Sequence, residues 1–195
     1  MKFKLSGAML IIASTYYVLA EAISAYYFHD TLFNTYVYHT ISELGIPNVN
    51  SPLSLLMNSA FIFIGLALLF SNYYRFKDYL IDNKILYYVL TLITSLGVIM
   101  VGLIHGGNPL TSGYHTIGAV MAIAGGNTLL IVISKSMKEF TEYNKITFIL
   151  GNLGIIMFLI LFFNMNSIYM PVFERISVYT MIIWSFITGT YLLKK

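Results

Sequence analysis

A glutamate at position 21 interrupts an apolar run that extends from Leu5 to Phe28. A carboxylate at bilayer depth is costly, generally faces a bundle interior, and marks a relay, an ion path or a ligand. Ser14, Tyr17, Ser24 and Phe28 repeat around it at three- and four-residue spacing, so a helix would gather them on one mostly polar stripe. His39 and Glu43 stand four residues apart, a spacing that on a helix can hold a metal or a water. His105 and His115 flank a short turn containing Gly106-Gly107-Asn108-Pro109, which brings the two imidazoles near each other. Arg175 is the natural counter-ion for Glu21 or Glu43, or for an anionic headgroup. Glu21, His39, Glu43, His105, His115 and Arg175 are therefore the candidates for one ligand pocket. The expected pocket opens outward between the first, third, fourth and sixth spans.

Other chemistries leave no mark. No cysteine is present, which removes disulfides, thiolate zinc sites, cysteine nucleophiles, iron–sulfur clusters and covalent haem. There is no phosphate-binding Gly-x-x-x-x-Gly-Lys loop, no Gly-x-Ser-x-Gly elbow and no His-Glu-x-x-His helix. No metal and no cofactor are expected; His39, Glu43, His105 and His115 would supply the ligands if a metal bound. The formal charge of +3 does not point to nucleic acid, since no basic face interleaved with aromatics accompanies it.

The elements that position these residues are helices in a membrane. The chain has 195 residues, 58% hydrophobic and only 10% charged, against about 25% charged in soluble domains. A single all-α domain is expected, with six transmembrane spans at residues 5–28, 53–71, 85–104, 115–134, 146–164 and 175–193, each near the ~20 residues a hydrocarbon core requires. Met1 to Lys4 is basic and Ala20-Glu21-Ala22 has the form of a signal cleavage site. The apolar run nonetheless continues past that site, so a retained first helix is expected. Lys2, Lys4, Arg75, Lys77, Lys84, Lys135, Lys138, Lys145, Lys194 and Lys195 fall on one side of the spans, and Arg175 alone falls on the other. Basic residues in short loops favour the cytoplasmic side, so both termini are expected to be cytoplasmic, in the cell membrane. Pro47, Pro52, Pro109 and Pro171 are read as lying in the outer loops.

Within that frame the first outer loop, residues 29–52, is the longest and carries His29, Asp30, His39 and Glu43 without a base. A short helix there would set Tyr36, His39 and Glu43 on one face and Val37, Ile41 and Leu44 on the other. It could lie on the membrane surface or fold back over the bundle. Gly118, Ala122 and Gly125 give the fourth span a small-residue face that lets a neighbouring backbone approach, so that span is expected to be the most enclosed. Asn58, Asn127 and Asn152 are expected to hydrogen-bond between helices, and Trp184 to pack.

The run from Gly102 to Asn127, GLIHGGNPLTSGYHTIGAVMAIAGGN, resembles the signature of the membrane-protein family called domain of unknown function 998. Ile41-Ser42-Glu43-Leu44-Gly45 and Asn58-Ser59 resemble it too. The His-x-x-Gly-Ala element falls on His115, Gly118 and Ala119, and the Gly-Asn element on Gly126 and Asn127. Relatives often have Phe-Pro where this chain has Ile104-His105. The resemblance implies a six-helix membrane fold and no established activity; distant eukaryotic relatives are associated with lipid handling and signalling.

Three functions fit. The protein could bind or act on a lipid or other amphiphile at the outer pocket, with membrane lipids as its partners. It could be a non-catalytic subunit among other membrane protein subunits, since no complete catalytic constellation is present. It could be a proton- or ion-coupled transporter, which would require polar residues through the cytoplasmic half, where they look sparse.

Overall fold

The computed structural model describes residues 2–47, 51–74, 76–137 and 141–194. Arg75, Lys138 and Lys195 of the basic set lie outside the described residues. Seven helices run in order: α1 (Lys2–Tyr26), α2 (Leu32–Tyr38), α3 (Ser54–Tyr74), α4 (Lys84–Leu103), α5 (Ser112–Ser136), α6 (Thr141–Phe163) and α7 (Met170–Leu193). All but α2 are long and apolar enough to cross a membrane, so the chain is a multi-pass integral membrane protein. Short 3-10 turns occupy Ser42–Gly45 and Phe76–Tyr79.

The six long helices close into a ring in which each packs on the next and α7 returns to α1. At the closing seam an added Cβ on Gly7 would lie 2.7 Å from the Gly189 carbonyl, so the start of α1 meets the end of α7 and both termini share one end. The small-residue face of α5 packs on α4 as its glycines predict: a Cβ on Gly97 would come within 2.6 Å of the Ala122 backbone nitrogen, and one on Gly118 within 2.9 Å of Met100. Yet α5 is not the most enclosed helix, because α3 and α7 are enclosed to the same degree. Half of the span is buried in each of α3, α5 and α7, against 17% in α6. The ring dents inward so that α7 touches α5 directly, which leaves α6 on the outside.

Several helices exceed the apolar spans. Thr141–Lys145 extends α6 and Met170–Glu174 extends α7, because hydropathy marks the lipid-crossing stretch and not the ends of the hydrogen-bonded helix. Pro171 is therefore not a loop residue. It sits in the first turn of α7, where a missing N–H costs nothing and the fixed φ favours helix entry. Glu174 and Arg175 consequently face the bundle from inside the helix.

Asparagines and hydroxyls knit the interior. Asn127 donates to the Ser177 carbonyl at 3.0 Å and accepts from Thr180 at 2.7 Å, and Gly154 leaves room for its side chain, so α5, α6 and α7 meet there. Asn58 binds the Gly45 carbonyl at 2.8 Å. Asn152 is a correction: it bonds to Phe148 of its own helix. Trp184 is 1% exposed and packs as expected. Polar groups are also not sparse toward the termini, where Asn72, Tyr87, Thr91, Tyr143, Thr147 and Thr188 are buried. They escape a charge-based reading because they carry none.

Candidate functional site

At the end of the bundle away from the termini, residues 31–47 fold back over the helices. Thr31 accepts from the Asn34 N–H at the start of α2, and Asp30 accepts from the Thr31 N–H and the Asn34 amide. The Asn34 amide foremost holds the Asp30 carboxyl below its ordinary range. The helix stops at Tyr38 because His39 is extended (φ −117°, ψ 136°), so one continuous helix does not carry Tyr36, His39 and Glu43. Ile41 and Leu44 are nonetheless fully buried, which anchors the segment on the bundle.

Two adjacent residues of α7 fasten that segment. The Glu174 carboxylate accepts the Ile41 N–H at 2.8 Å and the Ser42 hydroxyl at 3.3 Å. Arg175 donates through Nη1 to the carbonyls of Tyr36 (2.9 Å) and His39 (2.5 Å) and through Nε to Glu21 (3.0 Å). A cation at the carbonyl end of a short helix satisfies groups that the helix leaves open. The guanidinium also lies 4.9 Å from the Tyr36 ring centroid. Glu21 is wholly buried, and its second oxygen accepts from the Tyr179 hydroxyl at 2.8 Å. Ser14, Tyr17, Glu21 and Ser24 of the expected stripe are buried on α1, and Phe28, which lies beyond the end of that helix, is buried as well.

The six sequence candidates fall into three groups and not one. Glu21 and Arg175 form the buried ion pair. His39 turns its ring away from that pair and bonds Glu43 at 2.7 Å and Asp30 at 3.4 Å, in a partly exposed cluster that touches the pair only through the His39 carbonyl. His115 bonds the Ile104 carbonyl at 2.6 Å and so closes the end of α4, while His105 follows that same carbonyl in the α4–α5 turn. The imidazole of His115 is therefore committed to joining two helices. Among the described residues no three His, Asp or Glu side chains are gathered in a geometry that would hold a metal.

One cavity in the bundle is lined by neighbours of the candidates. It lies between α1, α3, α4, α5 and α7, with Ile41 and Ser42 at its covered end. Apolar walls come from Phe61, Ile64, Leu68, Val98, Val101, Ala119, Ala122, Ile123, Val178, Met181 and Ile182. Its polar groups are Tyr17, Ser42, Glu174 and Ser185. From Glu174 to Ser185 the lining follows α7 for roughly 16 Å at 1.5 Å per residue, about half the hydrocarbon thickness. Its free volume is about 50 Å³, against the roughly 10–15 Å³ that one water needs by the same kind of measure. Of these groups, Glu174 was not among the six sequence candidates, and Tyr17 entered only as a member of the stripe. Pro171 was the available signal: it marks the first turn of α7 and so puts Glu174 on the helix.

The family described as "Protein of unknown function (DUF998)" matches residues 9–191. No curated protein and no solved structure matches the chain. The residues that carry the resemblance occupy structural positions around the cavity: Ala119 lines it, Gly118 seats α5 on α4, His115 closes α4, and Asn58 holds the covering segment.

Proposed function

The chain belongs to the DUF998 family of proteins of unknown function, and we propose that it is an amphiphile-binding membrane protein that receives an apolar chain in the cavity among α1, α3, α4, α5 and α7. The observation that carries this reading is the composition of that cavity. Its walls are apolar along half the membrane depth, and its polar groups include Glu174 and Ser42, which fasten the covering segment. Ligand sites characteristically combine apolar walls with a few placed polar groups.

The volume decides how binding must proceed. Space for a few waters admits no lipid chain, so occupancy requires the helices to part or the covering segment to lift. That segment is fastened by Glu174 and Arg175, residues that also reach the cavity and the Glu21 pair. In this reading Glu21, Arg175 and Tyr179 position the cover, and Glu174, Ser42 and Tyr17 meet the ligand.

Purification in mild detergent followed by native mass spectrometry tests it. The wild-type protein should emerge as a small monodisperse particle that retains an amphiphile, and Val178→Phe, which fills the cavity from α7 and leaves the α4–α5 seam alone, should lose it while unfolding at a similar temperature. Equal retention by both proteins would place the lipid on the outer surface. Stoichiometric co-purifying membrane subunits without bound lipid would favour an accessory-subunit role instead.

A further inference from the structure

Resting on the cavity reading, we propose further that the ligand's head is a hydrogen-bond donor, an amine in preference to an alcohol, and that anionic heads are refused. Three observations carry this. The Tyr17 hydroxyl is buried at the cavity with no hydrogen-bond partner, and a buried polar group without a partner is rare enough to call for one. The Glu174 carboxylate receives two donors, the Ile41 N–H and the Ser42 hydroxyl, whereas an ionised carboxylate offers about four acceptor sites. Among the described residues no Lys, Arg or His lines the cavity.

Charge balance points the same way. Glu174 stands next to Arg175 on α7, but among the described residues Glu21 is the one acid ion-paired with it. Two carboxylates then share one cation in a buried site, and an uncompensated charge there is expensive. A ligand ammonium would supply the missing positive charge and three donors, enough to reach both Glu174 and Tyr17. An alcohol would satisfy the hydrogen bonds without the charge. A carboxylate or phosphate head would bring a third negative group into the same space. Arg175 Nη2 also lacks a partner, but Arg175 does not line the cavity, so that donor does not face the ligand.

The experiment compares hexylamine, hexanol and hexanoate added to the protein in nanodiscs of phosphatidylcholine, with the thermal unfolding midpoint as readout. The midpoint should rise most with hexylamine, less with hexanol and not with hexanoate. Glu174→Gln should reduce the hexylamine response to that of hexanol, and Tyr17→Phe should weaken both. Should Glu174→Gln not assemble, Tyr17→Phe carries the test instead: undiminished hexylamine and hexanol responses in that variant overturn the inference. A hexanoate response equal to that of hexylamine, or a Glu174→Gln protein that responds like wild type, overturns the head-group inference and leaves the cavity reading standing. No response to any of the three, together with unchanged lipid retention in Val178→Phe, removes the cavity reading itself.

Discussion

Arg175 serves α1 and α2 from a single position on α7: Nε neutralises Glu21, and Nη1 takes two carbonyls at the end of α2. Removing one partner of a buried pair leaves the other uncompensated, which typically costs about 3–5 kcal/mol. Arg175→Ala should therefore lower stability by about that amount, read from chemical unfolding in detergent. Adding Glu21→Gln should recover part of the loss, because the orphaned charge goes with it. If the double variant is as unstable as Arg175→Ala, the damage comes from the lost carbonyl contacts and not from the charge. The pair was legible in the sequence, where one acid and one base stand out against apolar runs. Tyr179 was not, because it is one of 16 tyrosines and its position gives no sign that its hydroxyl meets a carboxylate. His115 was legible as inward-facing, but not as a group committed to the Ile104 carbonyl, since that depends on where α4 ends.

Helix-to-helix spacing is set by absent side chains. At the α4–α5 seam Gly97 and Gly118 bring the two backbones together, a mode of association suited to a membrane, where apolar surface alone gives helices little reason to pair. Gly118→Leu should overpack the seam and cost about 1–3 kcal/mol, seen as a lower unfolding midpoint in detergent. A variant of undiminished stability would mean that the seam opens freely. The small-residue spacing announced this contact, and the long apolar runs announced six spans. Helix ends were harder to place, because the first and last turns obey hydrogen bonding and capping while hydropathy reports only contact with lipid. The segment over the bundle was the least legible element. Its fold depends on Glu174 and Arg175, more than a hundred residues away in sequence, and no local pattern encodes such a partner.

For the whole molecule, the even number of spans and the Gly7–Gly189 contact put both termini at one end; the distribution of Lys and Arg predicts which side of the membrane that is. The chain lacks cysteine, so single cysteines at Asn108 and Asp82, both exposed and at opposite ends of the bundle, give a clean test. An impermeant thiol reagent applied to intact cells should label the Asn108 position and spare the Asp82 position. The reverse pattern would invert the protein. Ring closure by the first and last spans has a consequence for biogenesis. α1 and α7 are the least hydrophobic spans, with mean hydropathy 1.5 against 2.5 for α6, and each carries half of the ion pair. A charged residue mid-helix costs roughly 2.5–3.5 kcal/mol to insert. α1 must therefore wait in the bilayer with an uncompensated acid while four further spans are made. The arrival of α7 supplies the Arg175 counter-ion, so the pairing of the first and last of the six spans is also the step that compensates Glu21.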